Sequence, residues 1–159
     1  MIQGKWILPG SPEFDTADNI MNTVFTEEIN SYNDYLHKEL DSMANHVIVL
    51  DTDTKNIAGY GRVTYDLENF VIDNFCVLKE YRGNFYGDFV VRMLVDKAIQ
   101  CSADAIYCSV PSHLEGFLKS IGFKVLSDTK NKPQNLYIYD NYTMMCLYPA
   151  DFTSRCHCH

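Results

Sequence analysis

The chain has 159 residues, of which 47% are apolar and 21% charged, a composition typical of an ordinary globular domain. Its formal net charge of −8 argues against a general nucleic-acid or anionic-membrane binder, because phosphate-rich partners need clustered Lys and Arg. We therefore expect neither of these partners. We also expect one domain over residues 1–150, followed by a flexible tail over residues 151–159.

No apolar run approaches the roughly 18 residues that a membrane-spanning helix requires, and residues 1–10 do not resemble a signal peptide. The cysteines are best explained as reduced thiols, which favours a cytoplasmic location. They are Cys76, Cys101, Cys108, Cys146, Cys156 and Cys158. The last two belong to a Cys-His-Cys-His terminus, where four adjacent side chains cannot easily close one tetrahedral shell. We expect no functional metal site there.

The first half of the chain predicts one short strand, two helices and a hairpin. Residues 5–8 form the strand, and residues 15–25 and 31–43 show apolar side chains at helical spacing. The hairpin pairs strands at 46–51 and 57–65 across a turn rich in Asp, Thr and Asn. Gly59 and Gly61 within its second strand indicate a bulge or a close backbone approach.

The second half alternates strands and helices. Strands are predicted at residues 70–78, 105–110, 123–126 and 136–148, and helices at 87–100 and from Pro111 to about residue 120. Gly122 is placed to end the second of these helices. The order β-αα-βββ-α-β-α-ββ predicts an α/β (α+β) fold in which helices pack on a mixed, mostly antiparallel sheet.

The stretch over residues 70–90 contains an apolar strand, a loop with Gly83 and Gly87, and the start of a helix. A loop that leads into a helix N-terminus presents outward backbone N–H groups and a favourable dipole to an anion. The stretch therefore predicts a site for the diphosphate of a nucleotide-containing cofactor. An ordinary turn, in which the glycines serve geometry only, is the alternative.

Two motifs resemble the GNAT superfamily of N-acetyltransferases. Residues 77–87 (VLKEYRGNFYG) are similar to the end of the family's central strand and its pyrophosphate loop, and residues 115–123 (EGFLKSIGF) are similar to its Phe-Tyr-x-Lys-x-Gly-Phe signature. The resemblance covers about residues 45–148. It implies a GNAT-like fold, acetyl-CoA as cosubstrate and a small-molecule amine as acceptor. Homodimers are common in the family, and the sequence leaves the oligomeric state open.

The resemblance also implies which residues bind the cofactor. The end of the strand over residues 70–78 pairs with the pantetheine arm through its backbone, and the loop amides bind the diphosphate. Ser112, just before the second motif, and Phe117, within it, complete the set. The implied set is Phe75, Cys76, Val77, Leu78, Arg82, Gly83, Asn84, Phe85, Tyr86, Gly87, Asp88, Ser112 and Phe117.

The loop departs from the family pattern at two positions. Phe85 stands where the family has glycine, and we expect it to hold a negative φ and turn its ring away. Asp88 places a carboxylate beside the expected diphosphate, where Arg82 and Lys79 would offset its charge.

The acid and the base that assist the reaction are the remaining question. Asp73 is the candidate base, on the same face of its strand as Phe75, and simple pairing at a sheet edge is its alternative. Glu68 is a weaker candidate. Leu118 replaces the family's usual acidic tyrosine, and Pro111 its usual asparagine. Substitutes for that acid are Tyr86, Tyr107, Tyr137 and Tyr139, unless the thiolate leaves unassisted.

These features predict an acetyl-CoA-dependent N-acetyltransferase that acts on a primary amine by direct transfer. A binding or regulatory module of the same fold, with weak or no catalysis, is the alternative. A nucleotide enzyme of another fold is a third hypothesis, and the second motif argues against it.

Overall fold

A computed structural model describes residues 1–28, 36–66 and 69–152. Seven strands form one sheet in the order β1-β2-β3-β4-β5-β7-β6, in which only β4 and β5 pair in parallel. The strands are β1 (Ile2–Ile7), β2 (Ala44–Asp51), β3 (Ile57–Asp66), β4 (Asn69–Val77), β5 (Ile106–Pro111), β6 (Lys124–Val125) and β7 (Tyr142–Leu147). This mixed, mostly antiparallel sheet with flanking helices confirms the predicted fold.

Three α-helices pack against the sheet or at its end: α1 (Pro12–Met21), α2 (Tyr86–Gln100) and α3 (Glu115–Ile121). A π-helical segment, Asn22–Glu28, continues α1, and a 3₁₀ helix, Lys38–Met43, leads into β2. Helix α1 begins earlier than predicted because Pro12 occupies its first turn, where no backbone N–H is needed. Of the helices in the described ranges, none is long and apolar enough to cross a membrane.

Several predicted boundaries are wrong. The first strand is longer than predicted, since Ile2–Ile7 pairs along its whole length with β2. The last strand is shorter and begins at Tyr142, because residues 136–139 are irregular and residues 140–141 form a turn. Residues 112–121 divide into a 3₁₀ turn, Ser112–Leu114, and α3, because Pro111 still belongs to β5. The predicted helix over residues 31–43 is described only from residue 36, where it is the 3₁₀ helix Lys38–Met43 and not an α-helix; its residues 31–35 and all of residues 153–159 lie outside the described residues.

The two faces of the sheet bury separate apolar clusters. Helix α2 covers one face with Val90, Val91, Leu94 and Val95, all fully buried. Helix α1 covers part of the other face, where Ile20 and Met21 pack in a cluster with residues of β2, β3 and β4.

Gly61 lies under helix α2 and confirms the predicted close approach. A Cβ atom at Gly61 would lie 2.6 Å from a methyl carbon of Val90 and 2.8 Å from one of Leu94. The sheet could not support α2 this closely with a side chain at that position.

A bulge at Asn74 changes the side-chain alternation of β4. Tyr60 pairs with Cys76, but Arg62 pairs with Asp73, so β4 has one extra residue between these pairs. Asn74 takes the left-handed conformation with φ 51°, and its side-chain amide donates to the carbonyl of Leu36 at 2.7 Å.

The predicted alternation of β4 is therefore wrong. Asp73 shares the α1 face with Cys76, whereas Phe75 and Val77 pack into the cluster under α2. Regular alternation would have placed Asp73, Phe75 and Val77 on one face. The extra residue places Phe75 and Val77 on the face opposite to that of Asp73, and no periodicity in the sequence indicates where it is inserted.

Strands β4 and β5 pair over three residues of each strand and then separate. Their parallel register joins Phe70 to Ile106, Val71 to Tyr107 and Ile72 to Cys108. Within the described residues the ladder goes no further, although β4 continues to Val77 and β5 to Pro111. The separation opens a gap at the centre of the sheet, and both cavities described below border it.

Candidate active site

A large cleft lies between the C-terminal end of β4, the N-terminus of α2 and helix α3. Its volume is about 670 Å³. Most of the residues implied by the resemblance line it, namely Phe75, Cys76, Val77, Arg82, Gly83, Phe85, Tyr86, Gly87, Asp88 and Phe117. The lining combines apolar side chains from the strand and α3 with the first turn of a 15-residue helix.

The N-terminal turn of α2 gives the cleft its preference for anions. The first amides of a helix have no acceptor within that helix, and the helix dipole adds partial positive charge. Gly83 lies before this turn with φ 83°, and a Cβ atom there would meet nothing within 4 Å, so the loop surface is open. Arg82 adds a full positive charge, and its Nε donates to the carbonyl of Val77 at 2.9 Å.

Phe85 contradicts the expected backbone conformation. It takes the left-handed conformation, with φ 70° and ψ 8°, as the N-cap of α2. The ring is 64% exposed, so it gains little from packing. The conformation is the one that glycine adopts without strain. The loop therefore keeps the backbone path of a glycine at the cost of strain in a bulky residue.

Asp88 forms an i,i+4 ion pair with Arg92 of the same helix. The Nε atom of Arg92 donates to Asp88 at 3.0 Å, one helical turn away, and both side chains are largely buried. The guanidinium of Arg92 also lies 5.8 Å from the ring centroid of Phe152. The carboxylate therefore opposes an anion in the cleft less than an unpaired Asp88 would.

Three of the implied cofactor residues do not line the cleft. Leu78 packs toward the cluster under α1. The Asn84 amide turns back to the carbonyls of Tyr81 and Arg82, and the Ser112 hydroxyl lies 3.0 Å from the carbonyl of Asn141. These side chains support the loop geometry around the cleft.

The second motif forms helix α3 and its end. Phe117 faces the cleft, with its ring centroid 6.4 Å from that of Phe75, while Leu118 is fully buried in the core. Gly122 ends the helix with φ 124°, where a Cβ atom would lie 2.2 Å from the carbonyl oxygen of Asp151. The position of the family's acidic tyrosine thus holds a buried aliphatic side chain.

A second, smaller cavity of about 120 Å³ lies on the other side of the strand separation. Phe75, His113 and Leu114 line both cavities, so the two meet at the gap between β4 and β5. The smaller cavity is lined by aromatic rings and a few polar groups, including Phe25, His37, Asp73, Ser109, Asn135, Tyr137, Tyr139 and Tyr142. This geometry suits two reactants that enter from opposite sides.

Asp73 lines the smaller cavity but is held by Arg62. Its two carboxylate oxygens accept hydrogen bonds from Arg62 Nε at 2.6 Å and Nη2 at 3.0 Å. Arg62 is fully buried and also donates to Asp41 and to the carbonyl of His37. Burial raises the pKa of Asp73, and the guanidinium opposes that rise. The structure thus contains an ion pair of Asp73, the role that was the alternative to catalysis.

His37 connects two polar groups at the edge of this cavity. Its Nδ1 lies 3.2 Å from a carboxylate oxygen of Glu39, and its Nε2 lies 2.5 Å from the Tyr139 hydroxyl. A carboxylate only accepts, so in the neutral ring Nδ1 carries the hydrogen and Nε2 accepts from Tyr139. The ring also stacks on Tyr137 at a centroid distance of 3.6 Å.

The structure narrows the set of candidate tyrosines. Tyr137 and Tyr139 line the smaller cavity and Tyr86 the cleft, whereas Tyr107 lines neither. Glu68 lies outside the described residues.

Sequence reasoning missed Arg62, His37, Ser109 and Asn135. Arg62 carried a usable signal, because a charged residue inside an apolar strand usually needs a buried partner. The others carried none, since their roles depend on segments that are distant in the sequence.

Comparisons with known proteins agree with this geometry. The family model of the acetyltransferase (GNAT) domain matches residues 13–136. Among solved structures, Escherichia coli ElaA is similar with 22% identity and a TM-score of 0.73, over 92% of this chain and 99% of that one.

Two further structures give the same result. An acyl-CoA N-acyltransferase from Pseudomonas aeruginosa has 15% identity and a TM-score of 0.72, and a GNAT-family acetyltransferase from Staphylococcus aureus has 14% and 0.71. Each alignment covers 92% of this chain and 99% of the other. A search of curated proteins finds no match.

Because their sequence identities are low, these structures show only that the fold is shared. The family model is the stronger evidence, since it matches most of the chain. That match rests on the segment that contains the central strand, the loop, helix α2 and helix α3. The chain belongs to the acetyltransferase (GNAT) family.

Proposed function

We propose that this protein transfers an acetyl group from acetyl-CoA to the primary amine of a small molecule, directly and within a ternary complex. The observation that carries the proposal is the meeting of two cavities where β4 leaves β5, with Phe75, His113 and Leu114 in both walls. One cavity has the size and the helix N-terminus that a nucleotide thioester needs, and the other has the size of a small amine.

The larger cleft is the proposed acetyl-CoA site. The loop and helix residues from Arg82 to Asp88 would hold the diphosphate, mainly through backbone amides. The exposed backbone edge of β4 from Phe75 to Val77 would pair with the pantetheine arm, and Phe117 would cover it. Acetyl-CoA supplies an activated acyl carbonyl. The apolar walls at Phe75 and Phe117 would exclude water from it.

The chemistry requires two proton movements. The acceptor ammonium loses a proton, the amine nitrogen forms a bond to the acyl carbon, the carbon–sulfur bond breaks, and the thiolate gains a proton. In the proposed arrangement the amine approaches from the smaller cavity. Candidate proton acceptors must therefore lie on that side.

Asp73 and the pair Tyr139–His37 are the two candidate acceptors. Asp73 lines the smaller cavity, but both of its oxygens already bind Arg62. Tyr139 lines the same cavity, and its hydroxyl donates to His37. Loss of a proton from Tyr139 to His37 would let the phenolic oxygen accept one from the amine. We propose this route, with Asp73 as an electrostatic partner of the ammonium or as a base that acts through water.

A binding module without catalysis is the second candidate function. The burial of Leu118 at the family's tyrosine position favours it, because the usual proton donor is absent. The cavities exist in either case, so acetyl-CoA binding and turnover have to distinguish the two functions. The proposed cytoplasmic location is supported by the described cysteines, Cys76, Cys101, Cys108 and Cys146, which are free thiols.

Two measurements test the proposal. Acetyl-CoA at 100 times its dissociation constant should stabilise the protein by about 2.7 kcal/mol in thermal unfolding. An amine panel monitored by free-thiol release should then show acetylation. Absence of a thermal shift at millimolar acetyl-CoA contradicts the enzymatic function, and a shift without turnover on any amine supports the binding module.

A matched pair of variants tests the role of Asp73. Asp73→Asn removes the carboxylate that lines the cavity, and Asp41→Asn removes the other carboxylate partner of Arg62, which does not line it. If Asp73 acts on the acceptor, only its variant lowers the rate by about tenfold or more. Equal rates in the two variants would assign Asp73 a structural role only.

A further inference from the structure

The smaller cavity contains buried polar atoms that lack a hydrogen-bond partner. Among the described residues, the buried side-chain atoms without a partner are Ser109 Oγ and Asn135 Oδ1, and both residues line this cavity. Buried polar groups are nearly always satisfied in folded proteins, and exceptions call for an explanation. A ligand that brings hydrogen-bond donors would satisfy both atoms.

The orientation of the Asn135 amide is fixed by its neighbours. The Thr64 hydroxyl lies 3.4 Å from the carbonyl of Val71, to which it can only donate. The oxygen of Thr64 therefore accepts from Asn135 Nδ2, at 3.0 Å. The remaining amide atom, Oδ1, is an acceptor, so this end of the cavity suits a donor on the ligand.

The charges around the cavity favour a cation. Arg62 with Asp41 and Asp73 forms a cluster of one positive and two negative groups, with a formal charge of −1. Burial disfavours the charged guanidinium, but Asp73 and Asp41 outweigh that effect and raise the pKa of Arg62. Arg62 thus stays charged, and four of its five N–H donors bind the carboxylates and the carbonyl of His37.

No Lys or Arg lines the cavity in the described part of the chain. An acceptor with a carboxylate or a phosphate would find no charge partner there. The remaining wall combines aliphatic and aromatic side chains, and aromatic faces attract ammonium groups as well as methylene chains. The aromatic residues are Phe25, Phe75, Tyr137, Tyr139 and Tyr142.

We propose that the acceptor is a short aliphatic diamine. One amine would lie at the gap near Phe75 and His113, where the two cavities meet, and the methylene chain along the aromatic wall. The second ammonium would donate to Asn135 Oδ1, with Ser109 as a further polar contact and Asp73 as the nearby negative charge. This inference rests on the proposed function, since it names the substrate class of the same site.

Three ligands of equal length but different far ends test the inference. They are 1,4-diaminobutane, pentylamine, which has a methyl group there, and 4-aminobutyrate, which has a carboxylate. Binding of each to the protein saturated with CoA is measured by calorimetry, and acetylation is measured separately. We expect the diamine to bind at least tenfold more tightly than pentylamine, and 4-aminobutyrate to bind most weakly.

Asn135→Leu should bring the dissociation constants of the diamine and pentylamine within threefold of each other, and it should leave pentylamine binding nearly unchanged. Asn131→Leu is the matched control, because Asn131 is an exposed residue of the same loop and does not line the cavity. It should keep the tenfold preference. Circular dichroism and thermal unfolding verify that each variant folds.

The outcomes separate the two proposals. Equal binding of the diamine and pentylamine, or tighter binding of 4-aminobutyrate, overturns the diamine inference whether or not acetylation occurs. A preference for the diamine that survives Asn135→Leu overturns it as well. Selective diamine binding without acetylation of any amine keeps the ligand class and contradicts the enzymatic function.

Discussion

The guanidinium of Arg62 binds both carboxylate oxygens of Asp73 across neighbouring strands, at 2.6 and 3.0 Å. This pair lies between the core and the smaller cavity, and it continues to Asp41 and to the carbonyl of His37. The same contacts therefore stabilise the fold and place a negative charge at the cavity. Variants are needed to distinguish the structural role of these contacts from their functional role.

The first prediction is that Arg62→Met destabilises the protein strongly. Removal of one partner from a buried ion pair leaves the other charge uncompensated, which costs about 3–5 kcal/mol of unfolding free energy. Urea denaturation measures it. Lys5→Met is the control, because the Lys5–Glu13 pair is exposed and solvent screening should leave it a far smaller contribution. Similar losses in the two variants would contradict a special role for the buried pair.

The second prediction concerns His46, which is buried with its Nδ1 2.6 Å from the Tyr60 hydroxyl and its Nε2 2.8 Å from the carbonyl of Asp41. The carbonyl only accepts, so Nε2 carries the hydrogen and Nδ1 accepts from Tyr60. Burial first, and the positive charge of Arg62 to a smaller extent, lower the pKa of His46 from its ordinary 6.5. The folded state therefore binds fewer protons on His46 than the unfolded state does.

The sign of the pH effect follows from that difference. The contribution of neutral His46 to stability is complete above pH 6.5 and is lost as the pH falls below it, at no more than about 1.4 kcal/mol per pH unit. The free energy of unfolding of the wild type and of His46→Gln should be measured between about pH 7.5 and 5. We expect the difference between them to shrink toward acidic pH. A constant difference would show that His46 does not titrate in this range.

The third prediction is that Phe85→Gly stabilises the protein or leaves its stability unchanged, and does not weaken acetyl-CoA binding. The left-handed conformation at φ 70° costs a bulky residue about 1–2 kcal/mol, and the exposed ring offers little packing to lose. Thermal unfolding and acetyl-CoA titration measure both effects.

Gly83→Ala is the converse variant for the same loop. Gly83 has φ 83° with open space around it, so alanine should cost about 1 kcal/mol through backbone strain alone. If Phe85→Gly lowered stability by more than Gly83→Ala does, the exposed ring would have a packing role that its accessibility does not indicate.

The fourth prediction tests the proposed proton acceptor. Tyr139→Phe keeps the ring but removes the hydroxyl that binds His37, and we expect kcat to fall by about 100-fold or more. The KM for acetyl-CoA should stay the same, because Tyr139 does not line the cleft. Tyr107→Phe is the matched control, since Tyr107 lines neither cavity.

A second variant tests the same role. His37→Gln should lower kcat about as much as Tyr139→Phe does if His37 receives the proton, because the Tyr139 hydroxyl then has no group to which it can transfer its proton. A kcat near the wild-type value in both variants would return the base to Asp73.

The order of elements, the loop before α2 and the C-cap at Gly122 were predictable from the sequence because each depends on neighbouring residues. Apolar spacing defines α2, and Gly122 adopts a φ of 124° at the end of α3. Short segments of the sequence determine features of this kind.

The extra residue at Asn74 was not predictable, and it alters every orientation at the end of β4. Asp73 turned toward Arg62 and the smaller cavity, while Phe75 turned toward α2. Side-chain alternation assumes a regular strand, and a single inserted residue reverses it. The predicted face of Asp73 was therefore wrong, although the residue does lie at a cavity of the candidate site.

By itself, the sequence determined the family of the fold and the position of the cleft that we propose for acetyl-CoA, because both rest on contiguous motifs around Gly83, Gly87 and Gly122. Only the tertiary structure decided what lines the smaller cavity. Contacts among His37, Asp73, Asn135 and Tyr139 join segments up to 102 residues apart. No local pattern encodes such contacts, since they exist only after β4 and β5 separate and distant turns close over the gap between them.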